Sequence, residues 1–181
     1  MRVSRAAGVA RYPARFLLVA ATNPCPCGEG DAPGACRCSD GDRARYARRL
    51  SGPLLDRFDL RLDVVRPDPG DLLAGPGGEA SADVAARVRR ARAVAAERGV
   101  RTNADVPAER LDELAPLQPA AALLLEHALR AGSLSARGLH RVRRVARTLA
   151  DLAGRDGPLG DEDVCLALSL RAEHGPEVRA A

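Results

Sequence analysis

An apolar run from Phe16 to Ala21 stops at Thr22-Asn23-Pro24 and passes at once into four cysteines, Cys25, Cys27, Cys36 and Cys38. The chain then reaches Gly52-Pro53-Leu54-Leu55-Asp56-Arg57-Phe58-Asp59. A short continuous apolar run bounded by a turn reads as a buried parallel strand, and Leu60 to Val65 alternates in the manner of a second one. Between them, Asp42 to Leu50 has helical character, with Tyr46 and Leu50 at four-residue spacing. Residues 1–66 therefore read as part of an α/β layer interrupted by a cysteine-rich insertion.

The cysteines follow the pattern C-x-C, eight residues, C-x-C. Disulfides are disfavoured in a reducing compartment, which leaves metal binding as the main explanation. Zinc takes four thiolates in a tetrahedron, and two short cysteine pairs on facing turns can supply them. C-x-C is tighter than the usual C-x-x-C knuckle. Glycines 28, 30 and 34 and prolines 24, 26 and 33 supply the turns. The loop has almost no apolar residue with which to fold by itself, so a metal would be its staple. The alternative is a set of free thiols in an open loop. With four cysteine ligands no coordination position stays open, which argues against catalysis at the metal. Cys165, in an apolar helical stretch, reads as a buried small residue.

From Arg66 to Ala80 the prolines and glycines mark a linker, placed at 67–80, and everything after it reads as helical. Ser81 is a candidate N-cap for a helix ending at Gly99, and Pro107 to Leu114 forms a short one. Pro119 opens a third helix, with Leu123, Leu124, Leu125, Ala128 and Leu129 as a broad apolar face ending at Gly132. Ser135 caps a fourth, which turns Leu139, Val142, Val145, Ala146, Leu149 and Leu152 inward, and Gly160-Asp161 starts the last. Only two Phe, two Tyr and no Trp are available, so the core of this 81–181 bundle must be built from Leu, Val and Ala.

The chain contains no G-x-x-x-x-G-K-[ST] loop and no lysine at all, so it cannot supply a phosphate-loop lysine. Its net charge of +4 comes from arginines set against almost as many carboxylates, which gives DNA binding only weak support. No run is long enough to span a membrane, and Met1 to Arg15 carries four arginines without an apolar signal-peptide core. A cytoplasmic location follows by default. The start of the chain reads like the interior of a domain, which suggests a truncated gene or a fragment.

Over nearly its full length the chain resembles the C-terminal half of magnesium-chelatase-like AAA+ ATPases of the ComM/YifB type. The matching residues are Val3-Ser4-Arg5-Ala6, Phe16 to Gly28, Cys36-Arg37-Cys38, Ser51 to Leu60, and Leu134-Ser135-Ala136-Arg137 through Arg144 to Leu152. The resemblance implies a fold of α/β plus all-α class: a partial AAA+ core with a four-cysteine insertion, followed by a helical lid. It implies ATP and Mg2+ as cofactors of the complete family protein, beside the structural Zn2+. It further implies a homo-oligomer, a hexameric ring, that acts on DNA in branch migration. The departure is the half of the family pattern that holds the phosphate loop and the Mg-binding acidic motif, so this chain alone should neither bind ATP tightly nor hydrolyse it.

The family pattern also assigns roles. Asn23 matches the sensor-1 position, where a side-chain amide at a strand end orients the attacking water. An Asn in a turn before proline is the plainer reading. Arg57 matches the arginine finger, whose fixed charge stabilises the phosphoryl transition state in the adjacent subunit; otherwise it is a surface ion pair with Asp56 or Asp59, worth little. Arg137 matches sensor 2, near the start of a lid helix and touching the nucleotide. Arg141, Arg143, Arg144 and Arg147 then read as solvent-facing or inter-subunit residues. His127, His140 and His174 show no ligand spacing. Two other classes stay open: a zinc-stapled nucleic-acid binder, and a regulatory partner that inserts into rings of a longer relative. The binder requires the arginines to form one basic face.

Overall fold

Several helices open on a polar cap or a proline, one of them (Pro69–Ala74) inside the stretch read as a linker. Ser135 accepts a hydrogen bond from Gly138 N at 2.9 Å, Asp68 accepts one from Gly70 N at 2.7 Å, and Pro119 sits in the first turn of its helix. The computed structural model describes residues 2–14, 16–30, 34–50, 52–64, 67–75 and 77–171. His174, Ser51, Val65, Arg66 and Pro76 lie outside them. The chain forms two compact units, Met1–Ser51 and Gly52–Ala181.

In the first unit, strands β1 (Arg2–Arg5) and β2 (Gly8–Arg11) form an antiparallel hairpin, with Arg2 opposite Arg11 and Val3 opposite Ala10. Helix α1 (Asp40–Ala47) follows the cysteine loop. Residues 17–20 pair with no strand among the described residues, and Phe16, Leu17 and Val19 are 74%, 89% and 83% exposed. The expected buried strand is therefore not formed here. Parallel strands need a hydrogen-bonding neighbour and occur almost only where both faces are covered, and the described residues of this unit provide neither for 17–20. Residues 60–64 of the second unit behave alike, with Leu62 and Val64 exposed and no ladder formed.

The second unit contains α2 (Gly52–Leu55), α3 (Pro69–Ala74), α4 (Ser81–Glu97), α5 (Leu111–Leu114), α6 (Pro119–Arg130), α7 (Ala136–Leu152) and α8 (Asp161–Ser169). Its core is aliphatic, as the scarcity of aromatics requires: Val106, Leu111, Ala121, Leu125, Val142, Ala146, Leu159 and Val164 are buried. A bridge between Leu117 and Leu159 ties the entries of α6 and α8 together, with Gln118 N donating to Leu159 O and Leu159 N to Pro116 O. Gly99 ends α4 at φ +76°, a conformation that favours glycine.

Three expectations need correction. Ser81 is the first helical residue rather than the cap, because Ala80 takes the N-cap position with no side-chain bond. Cys165 is exposed: α8 turns Asp163, Val164 and Ala167 inward, and position 165 falls on the opposite side. Arg143 and Arg147 do not face solvent. They are 8% and 3% exposed, and each lies across the core side of α7 donating to backbone carbonyls.

Candidate functional site

In the first unit, the four cysteines converge. Cys25 Sγ lies 3.3 Å from Cys27 Sγ and 3.7 Å from Cys36 Sγ, the Cys27–Cys36 separation is 3.7 Å, and all four sulfurs fall within 4.8 Å of one another. Sulfurs at the corners of a tetrahedron ~2.3 Å from a central zinc are ~3.8 Å apart, so the cluster already has the dimensions of a zinc site. Two local devices build it. Gly28, at φ +84°, donates its N–H to Cys25 O at 3.1 Å and closes the turn that brings Cys27 back beside Cys25. A Cβ on Gly30 would stand 3.2 Å from Pro24 Cβ and 3.3 Å from Cys25 Sγ, which crowds a ligand. Ser39 caps α1 immediately after Cys38, exchanging hydrogen bonds with Asp42 N and Asp42 Oδ2. The second cysteine pair is thus anchored to a helix start.

The thiols do not titrate alike. Cys27 is lowered to about 6, chiefly by the Glu29 backbone N–H, then by the Cys25 side chain and the Arg37 backbone. Cys38 is pushed up to about 12; the Cys27 backbone lowers it, but desolvation and hydrogen bonds to the other three thiols raise it more. A divalent cation bound by all four sulfurs would compensate their thiolates together. Arg43, raised first by its hydrogen bond to the Cys36 side chain, adds a positive charge at the rim. All four donors are sulfur, which suits zinc in a closed, structural role. Exchanging both Cys25 and Cys27 for Ser is expected to abolish stoichiometric zinc, read by elemental analysis of protein purified in metal-depleted buffer. Zinc-free wild-type protein would refute the assignment.

Asn23 precedes this loop. It is exposed, and its side-chain Nδ2 would lie 3.5 Å from a Cβ at Gly28, so it stands against the cysteine turn rather than at the end of a paired strand. Thr22 Oγ1 and Tyr46 Oη are 3.0 Å apart and connect the same stretch to α1.

The other two predicted residues lie in the second unit. Arg57 is exposed, on the segment leaving α2. That segment is held against α7 and the end of α8. Arg141 Nη1 donates to Arg57 O at 2.8 Å and to Asp59 Oδ1 at 2.6 Å. Arg171 Nη1 donates to Phe58 O at 2.7 Å, and its Nη2 to Asp56 O at 2.9 Å and Asp56 Oδ1 at 2.5 Å. Ser135 Oγ lies 3.5 Å from Asp56 Oδ1, and Arg61 N donates to Leu170 O at 2.7 Å. Arg137 is exposed in the first turn of α7. The fold therefore brings the Arg57 segment to the same helix start that carries Arg137, while Asn23 and the thiol cluster belong to the other unit.

Deeper in the bundle stands a cluster that spacing alone left unread. Asp151, with a fully buried side chain, accepts from Arg147 Nε at 3.0 Å, from Asn103 Nδ2 at 2.7 Å and from Arg98 Nη2. The Arg147/Asp151 pair at i, i+4 was the available signal. Arg98 and Asn103 come from a different part of the chain.

Comparison with known proteins gives two family matches: "Magnesium chelatase, subunit ChlI" over residues 1–72 and "Magnesium chelatase, subunit ChlI C-terminal" over residues 78–171. An uncharacterised protein of Mycobacterium tuberculosis is 48% identical over 175 residues, 94% of this chain and 34% of that protein. Competence protein ComM of Haemophilus influenzae is 41% identical over 84% of this chain and 30% of its own length. YifB of Escherichia coli is 40% identical over 86% of this chain and 31% of its own length. The chain spans about a third of the length of the curated relatives it matches.

Proposed function

Because the chain belongs to the magnesium chelatase subunit ChlI family, in its ComM/YifB-type branch, we propose that it forms the rear part of an ATP-driven ring motor that acts on DNA. In this reading residues 1–66 complete an AAA+ core, 67–80 are a linker and 81–181 are the lid. The apolar segments at 16–21 and 60–65 are read as strands of that core, formed once parallel neighbours cover them. Arg57 acts as the finger toward the nucleotide of an adjacent subunit, Asn23 orients the attacking water, and Arg137 contacts the nucleotide from the lid. ATP and Mg2+ supply the phosphoryl chemistry when bound. No phosphate loop occurs in these residues, so this chain's share of the work is to position charge around the γ-phosphate.

The observation that carries the reading is the placement of Arg57. Its side chain is exposed, while the backbone on both sides is fixed by Arg141 and Arg171. A surface arginine of no consequence needs no such support; one that must meet a phosphoryl group in a neighbouring subunit needs a rigid mount. The test is junction movement on a synthetic branched DNA by a hydrolysing ring containing this segment. Movement with ATP but not with a non-hydrolysable analogue is the expected result, and movement independent of nucleotide would refute it.

A second reading has one observation in its favour. Residues 1–51 carry nine arginines against four carboxylates, whereas residues 52–181 carry nineteen against twenty. All of the excess positive charge thus sits in the cysteine-bearing unit. There Arg37, Arg45, Arg49 and Tyr46 line a shallow cavity of about 540 Å³ beside Cys27 and Cys38, with Asp42 as its acidic member. This is the footprint of a phosphate-contacting surface, with or without hydrolysis. Changing both Arg45 and Arg49 to Glu is expected to weaken binding of a fluorescent duplex by roughly tenfold or more at low salt and to flatten its salt dependence, read by anisotropy. An unchanged salt slope would remove this reading. No helix among the described residues is long and apolar enough to cross a membrane.

A further inference from the structure

We propose that Arg141 and Arg171 are positioning residues that fasten the Arg57 segment to the helical bundle, so that the charge offered to a neighbouring subunit moves with α7. The inference rests on the reading of Arg57 as a finger and adds a means by which lid position sets finger position.

The geometry is unusual for two surface ion pairs. Among the described residues seven hydrogen-bonded contacts cross between the segment 56–61 and the bundle, and four of them involve main-chain carbonyls or amides of the segment rather than its side chains. Main-chain contacts fix the course of the backbone, which is what aims a side chain. Arg57 O and Phe58 O are both held, by arginines from different helical elements, so the backbone at the finger is clamped from two directions. Arg171 is nearly buried, with 9% of its side chain exposed, although it sits beyond the end of α8, where a charged residue would ordinarily reach into water. A cleft of about 640 Å³ runs beside the clamp, lined by Asp56, Arg61, Ser135 and Arg171 and by the apolar Ala128, Leu134 and Leu168.

The two arginines differ in a way that makes a sharp test. Arg141 uses one nitrogen for both of its acceptors, whereas Arg171 spreads two nitrogens over three acceptors. A lysine has one compact donor head and can stand in for the first but not the second. Two readouts separate the clamp from the role of the finger. In this chain, hydrogen exchange at the amides of residues 58–61 is expected to speed up in Arg171→Met and Arg141→Met and to stay near wild type in Arg141→Lys, with α7 core amides unchanged. In a hydrolysing ring containing this segment, Arg171→Met and Arg171→Lys are expected to lower kcat by on the order of 10²-fold, the cost of a misplacement of about 1 Å, with KM for ATP little altered. Arg141→Lys is expected to retain turnover that Arg141→Met loses. Asp59→Ala, which removes the half-exposed carboxylate partner of Arg141, should reproduce part of the Arg141→Met defect.

Faster exchange with kcat lost supports the proposal. Unchanged exchange in Arg171→Met overturns the clamp whatever the ring does. Faster exchange with normal turnover, while Arg57→Ala is inactive, overturns the coupling and leaves the finger standing. Normal turnover in Arg57→Ala overturns both.

Discussion

Arg57→Ala in a hydrolysing ring that contains this segment is expected to reduce ATP turnover by roughly 10³-fold or more, the range over which arginine fingers act in phosphoryl transfer. Nucleotide binding should persist, because a finger in the proposed role contributes charge to the transition state and not to the cradle of the ground state. The loss should therefore fall on kcat, with ATP affinity measured by equilibrium binding little changed. Turnover that survives the substitution would return Arg57 to the status of a surface cation. Arg57→Lys is a useful companion. It keeps the charge but loses the planar fork, and partial activity at best is expected.

Asp151→Ala is expected to be the most damaging single change in the helical unit. The carboxylate has no exposed surface and accepts from two guanidinium groups and one amide, with Arg147 itself only 4% exposed. Deleting it leaves buried positive charge without a counter-charge, a loss of about 3–5 kcal/mol. That is a large fraction of the stability of a domain this size. A steep fall in melting temperature, or failure to recover folded protein, should appear by circular dichroism. Asn103→Ala removes a neutral member of the same cluster and should cost distinctly less. Equal costs would mean that charge pairing is not what makes Asp151 indispensable.

Why some of this could be read from the chain and some could not has a physical basis. Helix starts at Ser135, Pro119 and Gly160 were legible because capping and proline geometry are local. The thiol cluster was legible because four cysteines in so short a stretch leave few other arrangements. The strand expectation for residues 16–21 failed because a strand is a relation between segments, and apolar content cannot say whether a neighbour is present. The arginines of α7 misled for a related reason. Spacing put Arg143 and Arg147 on one stripe, but only the bundle reveals that open carbonyls at Leu111, Ala115, Arg155 and Gly157 lie beneath it. Arg141 and Arg171 were hidden most thoroughly. Their acceptors lie more than eighty residues away in the chain, and most are backbone atoms that carry no sequence signature.

The bare segment from Phe16 to Val19 has a practical consequence. A segment whose apolar side chains are this exposed, and which pairs with no strand among the described residues, is open to association with another copy of itself. Protein handled as these residues alone is therefore expected to self-associate through that segment as it is concentrated. Arginine-containing buffers or a mild detergent that masks the segment should hold it in solution, and sedimentation across a dilution series would distinguish such clumping from the closed stoichiometry of a ring.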